Sequence, residues 1–323
     1  MKEITISPNE AHQRVDKYVR KMLPDAPLSF IYKLFRQKDV KINGHWVDIS
    51  VMVNAGDVLR VYVTDAQLAD FQKERPIEDL PFSHPIIFED DNILIVAKPK
   101  GLLVHGDEGE KRLTLTNQVA SYLFKKGTYD PTAMGFTPAP AHRLDRNTSG
   151  LVVFGKNLMA LQALEDLFKD KKELKKEYLT LVVGTIDRDG KIDLPLKKDA
   201  ESGTVSVSSL AQGASTALTF YHVEEAIGPY TLLKVQIVTG RTHQIRAHML
   251  AIHHPVVGDG KYGSYDTNRT FKTLFKYDSQ FLHAYSLTFG NVSGLLSYLS
   301  GKMFVAPLPE KEQKILSALR KKL

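Results

Sequence analysis

The sequence predicts an α+β protein: a small N-terminal α/β module, then a larger domain whose mixed, mostly antiparallel sheet is flanked by helices. The chain has 323 residues, more than one average domain, so a main domain with a small companion is expected. Helical and hairpin patterns fill the start of the chain, whereas strand patterns outnumber helical ones afterwards. We expect a module at 1–66, a linker at 67–80, a main domain at 81–310 and a basic C-terminal helix at 311–323.

The module is predicted from two short amphipathic helices followed by a hairpin. Apolar residues recur at helical spacing at Val15, Tyr18, Val19 and Met22. A second helix is expected to begin at Ser29 as its N-cap. Asn43-Gly44 predicts a tight turn after the strand VKI, and VLRVYV predicts an alternating strand. The outward cations are Lys33, Arg36, Lys38 and Lys41, for which a merely solvated helix face is the alternative to a binding role.

The rest of the chain gives the pattern of a sheet with helices packed on it. Residues 65–85 contain Pro76, Pro81 and Pro85 without sustained periodicity, which indicates a linker. Two strands are expected around the turn Asp-Asp-Asn at 90–92, and further strands at LVVFGK, EYLTLVVG, STALTFYHVEE and YTLLKVQIV. Helices are expected over about 116–124 and 160–172, where Leu161, Leu164, Leu167 and Phe168 share a face.

Composition narrows the class of protein. The hydrophobic share of 43% and the charged share of 25% are ordinary for a globular protein, and no segment is as long and apolar as a membrane span. The absence of cysteine excludes disulfides, thiolate nucleophiles and cysteine-ligated metals. The polar start MKEITISPNE has no secretory pattern, so a cytoplasmic protein without a membrane partner is expected.

Positive charge is segregated along the chain. The formal net charge is +6, and residues 11–60 contain nine Lys/Arg against five Asp/Glu, a net +4. Residues 65–91 contain two against eight, a net −6. Such a distribution is expected of a face that binds phosphates.

The usual cofactor and metal motifs do not occur in the sequence. There is no phosphate loop ending in Gly-Lys-Ser/Thr and no dinucleotide fingerprint, which disfavours nucleotide-driven and hydride chemistry. The histidines at 243, 248, 253 and 254 lack the helical spacing of a zinc hydrolase. We therefore expect neither a metal site nor a cofactor.

Three segments supply candidate chemical groups. HRLDRNTSG sets Asp145 between Arg143 and Arg146, and KKEYLTLVVG opens a strand with Tyr178. In VTGRTHQIRAHM a strand ends near Gly240 and a helix begins near Thr242, which places Arg241, His243 and Arg246 around one corner suited to anions. Taken singly, each group has an ordinary alternative, such as a surface ion pair worth under about 1 kcal/mol.

Taken together, these segments resemble the RluA family of RNA pseudouridine synthases. The resemblance includes AHRLDRNTSGLVVFGKN, EYLTLVVG, GRTHQIRAHM, HPVVGDGKYG, VAKPKGLLVH, LHAYSL and FVAPLPE, and it covers nearly all of 81–310. One departure is AIHHP, where His253 stands in a position usually held by glycine. RVDKYV, SFIYKLFRQKDVKING and AGDVLRV resemble the alpha-L RNA-binding module named after the fourth ribosomal protein of the small subunit.

The resemblance implies roles for individual residues. Asp145 would be the essential carboxylate, Arg246 its partner and Tyr178 the ring that stacks on the target uracil. The RNA-binding residues would be His142, Arg143, Arg241 and His243 in the main domain and Lys33, Arg36, Lys38 and Lys41 in the module. Arg143 would contact the RNA beside a flipped base, either by filling the vacated stack or by holding a phosphate, whereas Arg146 would support the loop.

The expected function is therefore isomerisation of uridine to pseudouridine in large-subunit (23S) ribosomal RNA, without a cofactor and by a monomer. Three alternatives stay open from the sequence: a transfer RNA synthase of the same family, a non-catalytic RNA-binding or ribosome-assembly protein with a synthase-like core, and a glycosidase that releases the base. The sequence does not indicate which uridine is modified, or whether Asp145 acts at C1′ or on the 2′ side of the sugar.

Overall fold

The computed structural model describes residues 1–71, 78–131, 136–170 and 173–321. The helices in these ranges are α1 Val15–Met22, α2 Leu28–Arg36, α3 Asp65–Phe71, α4 Leu115–Lys125, α5 Leu158–Lys169, α6 Gln244–Ala251, α7 Tyr265–Phe275 and α8 Glu310–Arg320. The strands up to the first large helix of the main domain are β1 Lys2–Thr5, β2 Gln13–Arg14, β3 Val40–Ile42, β4 His45–Trp46, β5 Met52–Val53, β6 Val58–Val61, β7 Ile86–Glu89 and β8 Ile93–Lys98.

The later strands are β9 Ala139–Pro140, β10 Ser149–Gly155, β11 Leu174–Val183, β12 Gly190–Asp193, β13 Leu196–Lys198, β14 Val205–Val207, β15 Leu218–Ile227, β16 Tyr230–Ile237, β17 Leu282–Phe289 and β18 Met303–Val305. The predicted α+β class is confirmed. No helix among the described residues is long and apolar enough to cross a bilayer.

The N-terminal module packs α1 and α2 on one face of a four-stranded sheet with strand order β1-β6-β3-β4. The predicted face of α1 is buried as expected, and Asn43 and Gly44 both adopt positive φ in the turn between β3 and β4. The predicted N-cap at Ser29 was wrong. The N-cap is Pro27, two residues earlier, and its carbonyl accepts hydrogen bonds from the amides of Phe30 and Ile31 at 2.9 and 3.2 Å.

The module extends beyond its predicted end. Residues 65–71 form α3, and Leu68 and Phe71 pack against the core of the module, with the Phe71 ring 4.8 Å from the Phe30 ring. The linker predicted at 67–80 is therefore corrected at its N-terminal end, because these two apolar side chains have a surface to bury against. Part of that linker, including Pro76, lies outside the described residues.

The main domain is built on a large sheet with strand order β12-β15-β16-β11-β17-β10-β8-β7, to which β9 and β18 add at β10 and β17. All neighbouring pairs are antiparallel except β10 and β17, which run parallel, so the predicted mixed, mostly antiparallel sheet is confirmed. Alternate residues of the strands face opposite layers. One layer contains α4 and α6, and the other contains α5, α7 and α8.

Two predicted helices differ at their ends. The helix expected over 160–172 is α5, which begins at Leu158 and ends at Lys169; its predicted end at Lys172 lies outside the described residues. The C-terminal helix α8 begins at Glu310 and packs against the main domain. Ile315 and Leu316 are buried in the main domain, as is Glu312, which accepts a hydrogen bond from the Tyr277 hydroxyl at 3.0 Å.

Gly150 marks a close approach between the two parallel strands. It adopts φ of +114°, and a Cβ at this position would lie 2.2 Å from the backbone oxygen of Ala284 on β17. Only a residue without a side chain fits both the backbone conformation and the space. The loop that contains Asp145 therefore leads into a strand that lies unusually close to its neighbour.

We expect Gly150→Ala to destabilise the protein by about 2 kcal/mol or more, because a methyl group there meets backbone and the φ is unfavourable for alanine. Gly240→Ala is a matched control, since no atom lies within 4 Å of the Cβ that it would add. Urea unfolding of both variants and the wild type measures the difference. Equal free energies of unfolding for all three would show that β10 and β17 are not packed this closely.

Candidate active site

The three candidate segments line one cleft of about 600 Å³. Asp145, Tyr178 and Arg246 all reach its walls, together with the predicted RNA-binding residues His142, Arg143, Arg241 and His243. The β13–β14 hairpin adds Lys198 and Gly203 to the rim. Segments about a hundred residues apart in the chain thus contribute to a single concave site.

Asp145 lies in the loop 141–148, here called the aspartate loop, which precedes β10. The amide of Thr148 donates to the Asp145 carbonyl at 3.0 Å, which closes a turn around the carboxylate. Lys98, at the end of β8, is buried beneath the loop, and its ammonium donates to the carbonyls of Pro99, Leu102 and Arg146 at 2.9, 2.8 and 3.0 Å. The loop is therefore fixed from below, while the Asp145 side chain remains 30% exposed to the cleft.

Burial lowers the pKa of Lys98 to about 7, and the negative charge of Asp145 opposes this shift. Three carbonyl acceptors also favour an ammonium at this position. A charged Lys98 would place positive charge behind the aspartate loop, on the side away from solvent.

Arg246 holds two carboxylates with one guanidinium. Its Nη1 donates to Asp145 Oδ2 at 3.0 Å, while its Nε and Nη2 donate to the two oxygens of Asp259 at 2.6 and 2.8 Å. The Arg246 side chain is 7% exposed and that of Asp259 is fully buried. Burial acts to lower the pKa of Arg246, but the hydrogen bonds and charges of the two aspartates outweigh it and leave the pKa raised.

Asp259 is itself fixed by the turn in which it lies. The amides of Lys261 and Tyr262 donate to its Oδ1 at 2.9 and 3.1 Å. The backbone of the segment GDGKYG therefore holds the Asp259 carboxylate, which orients Arg246. Because Asp259 occupies Nε and Nη2, Nη1 is the guanidinium nitrogen directed at Asp145.

His243 begins the strand-to-helix corner in the left-handed region, at φ of +52°, as the N-cap residue of α6. Its Nδ1 lies 2.9 Å from the Tyr262 hydroxyl, and that hydroxyl accepts the Val205 amide at 2.7 Å. A hydroxyl that accepts from Val205 can donate to Nδ1, which leaves the proton on Nε2, 3.8 Å from Asp145 Oδ2. Burial lowers the pKa of His243, with Asp145 opposing the shift, so a neutral ring is favoured at neutral pH.

Tyr178 lies on β11 beside a bulge in the neighbouring strand β17. Glu177 pairs with Ser286 and Tyr178 with Ala284, so Tyr285 is the extra residue on β17, while β11 stays in continuous register with β16. The Tyr178 side chain packs on the side of α6 and lines the cleft. Burial raises the pKa of the Tyr178 phenol well above its usual value, with a further contribution from Asp145.

The remaining candidates in the main domain differ in how they face the cleft. Arg143 is exposed at its wall. Arg241 is exposed as well, with its Nε donating to the Thr216 carbonyl at 3.1 Å. His142 also lines the cleft, but its ring stacks on Phe168 at 4.3 Å.

His142 is further engaged through Nε2, which accepts the Val153 amide at 3.2 Å, and burial lowers its pKa to about 3. A neutral ring tied to the β10 backbone fits a supporting role better than the predicted RNA contact. The Arg146 guanidinium lies 4.0 Å from the Asp107 carboxylate, and the Arg146 carbonyl accepts a hydrogen bond from Lys98 at 3.0 Å.

The module cations fall into two groups. Lys33 and Arg36 are exposed on α2, as predicted. Lys38 does not belong to this helix face, which corrects the expectation, because it follows the helix at positive φ. Lys41 lies on β3, in the predicted strand VKI.

Sequence reasoning missed Lys98, Asp259 and Tyr262. All three lie in segments quoted for the family resemblance, VAKPKGLLVH and HPVVGDGKYG, but spacing alone did not single them out. Lysine is rarely buried without partners, so its position between the apolar strand ILIVA and Pro99 was a usable signal. The pairing of Asp259 with Arg246, thirteen residues away across a helix and a turn, had no such signal.

Among the other histidines of this segment, His248 and His254 have packing roles. His248 is buried and lies 2.8 Å from Thr219 Oγ1 and 2.9 Å from the Leu194 carbonyl. His254 Nδ1 lies 2.9 Å from the Val183 carbonyl. His253, in the position usually held by glycine, adopts φ of +64°, the conformation that glycine favours. Within the described ranges, no group of three or more His, Asp or Glu side chains is arranged to hold a metal ion.

Comparison with known proteins identifies the family of the chain. A family model described as RNA pseudouridylate synthase matches residues 92–251. An uncharacterized RNA pseudouridine synthase, YlyB of Bacillus subtilis, is 32% identical over 99% of this chain and 98% of its own length. The ribosomal large subunit pseudouridine synthase C of Pasteurella multocida is 33% identical over 99% of this chain and 94% of its own.

Solved structures show the same fold. Human RNA pseudouridylate synthase domain containing 4 matches with a TM-score of 0.58 and 24% identity, covering 73% of this chain and 92% of its own. The similarity to the bacterial enzymes extends over the whole chain, module included. The chain therefore belongs to the RluA family of RNA pseudouridine synthases, as its motifs predicted, and is an isomerase that converts uridine to pseudouridine.

Proposed function

We propose that this enzyme modifies large-subunit ribosomal RNA and that Asp145 is the carboxylate that acts on the ribose of the target uridine. The observation that supports the chemical part is the orientation of Asp145 by Arg246, itself held by buried Asp259. The substrate is supported by relatives named ribosomal large subunit pseudouridine synthase C and D, which align with 98–99% of the chain. The basic module is consistent with a large structured RNA.

The reaction balances without an external reagent. The bond between uracil N1 and ribose C1′ breaks, the base turns, and a bond forms between C5 and C1′. The proton on C5 is lost, and a proton is gained at N1. What the enzyme must supply is stabilisation of the electron-poor sugar, a surface for the detached base and a route for one proton.

Asp145 fits the first requirement because its two oxygens have different surroundings. Oδ2 accepts from Arg246 and lies nearest His243. No hydrogen bond or ion pair with another described residue engages Oδ1. An oriented carboxylate with one oxygen directed to the cleft can meet oxocarbenium-like charge on the sugar, either by bonding to it or by electrostatic stabilisation.

Tyr178 fits the second requirement. An extruded uracil loses its stacking in the RNA and needs a flat surface in the enzyme. With its raised pKa, the phenol stays neutral at ordinary pH and presents an uncharged ring rather than a standing phenolate base. Its hydroxyl can still relay the C5 proton while the base is held against the ring.

Cations around the cleft fit the RNA backbone. Arg143, Arg241 and Lys198 reach its walls or rim, and all three are exposed. Arg143 lies in the same loop, two residues before Asp145, so its guanidinium is available to fill the space that a flipped nucleotide vacates or to hold a phosphate. Such contacts make the affinity for RNA dependent on salt.

The substrate assignment is tested by mapping pseudouridine in total RNA from cells that lack the gene. We expect particular uridines of large-subunit ribosomal RNA to lose the modification and the wild-type gene to restore it. Loss confined to transfer RNA would contradict the ribosomal substrate. Persistence of every pseudouridine, in a strain with no redundant synthase, would favour a role in RNA binding or ribosome assembly.

Asp259→Asn should lower kcat about 10- to 100-fold while RNA affinity stays within about threefold, because a loosened Arg246 misplaces Asp145 without removing an RNA contact. Single-turnover pseudouridine formation and RNA binding measure the two effects, with thermal unfolding recorded on the same samples. The exposed Asp266→Asn is the matched control. Equal loss of kcat and of affinity, or none of either, would contradict the orienting role.

Tyr178→Phe should keep RNA affinity within about twofold, because the ring that stacks is retained, and should lower the rate at least about tenfold, because the hydroxyl is lost. Release of tritium from C5-labelled uridine in RNA reports the proton step directly. A wild-type rate for Tyr178→Phe would limit Tyr178 to stacking. A large loss of affinity would contradict the stacking role itself.

A further inference from the structure

The sheet of the N-terminal module has one open face. The register of β1, β6, β3 and β4 places Glu3, Arg60, Lys41 and Trp46 in one row across all four strands. Directly paired residues point to the same side of a sheet, and successive residues point to opposite sides. Leu59, next to Arg60, is fully buried against the helices, so the row lies on the side away from them.

Two aromatic rings are exposed on this face. Trp46 is 57% exposed and Tyr62, which follows β6, is 39% exposed. Each ring has a lysine beside it: Lys38 Nζ lies 4.8 Å from the centre of the Trp46 ring, and Lys41 Nζ lies 5.1 Å from that of Tyr62. One exposed ring on a surface is ordinary, but two rings interleaved with ammonium groups combine a stacking surface with positive charge.

The charge on this face is only partly compensated within the protein. Arg60 pairs with Glu3 at 2.5 Å, at the β1 edge of the row. Among the described residues, no ion pair is formed by Lys38 or Lys41, which lie at the other edge with the aromatic rings. The half of the face that contains Trp46 and Tyr62 therefore complements an anion that also offers flat groups.

A nucleic acid with unpaired bases has this chemistry. A duplex presents phosphates but keeps its bases stacked inside, so exposed rings gain little from it. In a single strand the bases are available to stack on aromatic side chains while the phosphates meet cations. The α2 cations Lys33 and Arg36 lie on a helix on the opposite side of the sheet and are separate from this face.

We propose that the open sheet face, formed by Lys38, Lys41, Trp46, Arg60 and Tyr62, binds a single-stranded segment of RNA. Bases stack on Trp46 and Tyr62, and Lys38 and Lys41 neutralise the adjoining phosphates. The inference rests on the proposed function, since it takes RNA to be the substrate. It deepens that function by naming unpaired nucleotides as the element that the module recognises.

Trp46 makes the inference directly measurable, because it is the single tryptophan of the chain. The full-length protein is titrated with a ten-nucleotide oligoadenylate, which contains no uridine for the active site, and in parallel with a blunt RNA duplex of equal length. We expect the oligoadenylate to quench the tryptophan fluorescence saturably and with strong salt dependence. The duplex is expected to leave the fluorescence nearly unchanged.

Variants separate stacking from charge. Tyr62→Ala should raise the Kd for oligoadenylate at least about fivefold through the loss of one stacking ring. Lys41→Gln should raise the Kd and flatten its salt dependence. Phe124→Ala is the matched control, because Phe124 is a comparably exposed ring on α4 of the main domain, beside Lys125. Because Trp46→Phe has no tryptophan fluorescence, its binding of oligoadenylate is measured by filter retention.

Absence of quenching by oligoadenylate, or equal quenching by the duplex, would overturn the proposal and leave this face to a protein partner. An effect of Phe124→Ala as large as that of Tyr62→Ala would overturn it as well. The titration is repeated with Asp145→Asn, which should quench like the wild type. Failed quenching in an active synthase therefore refutes this inference alone, whereas quenching in a protein without activity on large-subunit RNA refutes the proposed function alone.

Discussion

The buried guanidinium of Arg246 is the constraint on which the arrangement of the cleft depends. A buried charge costs several kcal/mol unless it is paired and hydrogen-bonded. Asp259 meets this need by accepting hydrogen bonds from two nitrogens of Arg246. The Asp259 carboxylate is held in turn by amides of the turn GDGKYG. With Nε and Nη2 occupied, Nη1 has one direction left, and Asp145 lies there. The position of the Asp145 carboxylate thus follows from the burial of Arg246. The other partner of Arg246, Asp259, lies thirteen residues further along the chain.

The opposite wall is fixed by a different set of buried contacts. Lys98 holds the carbonyls beneath the aspartate loop, and Gln280 donates to Thr148 Oγ1 at its end, at 3.3 Å. The Gln280 carbonyl accepts from Lys100 at 2.7 Å, and Lys100 pairs at 2.7 Å with Glu312 of the C-terminal helix. The last helix is therefore connected to the cleft through buried polar groups. The proposed reaction would need such rigidity, since a displacement of about 1 Å in a reacting group can cost two orders of magnitude in rate.

Local pattern predicted much of this structure, and long-range pairing accounts for most of what it missed. The spacing of α1 and the Asn43-Gly44 turn depend on neighbours in sequence, and both are confirmed. The existence of α3 and the burial of α8 depend on tertiary contacts that a local pattern does not contain. The three segments of the cleft were chosen for their residue types and by family resemblance. Asp259 was missed because a buried carboxylate looks like any turn aspartate until its partner is known.

We propose that Asp145, oriented through one oxygen, acts on the ribose with the other. Single-turnover conversion of uridine in a bound large-subunit RNA fragment by Asp145→Asn, with affinity measured on the same preparation, tests this role. We expect a folded protein that binds RNA within about threefold of the wild type and converts it about 10⁴-fold more slowly or worse, as when a nucleophile is removed. Conversion within about tenfold of the wild-type rate would rule out this role for Asp145, because an amide can neither attack the sugar nor stabilise its positive charge as a carboxylate does.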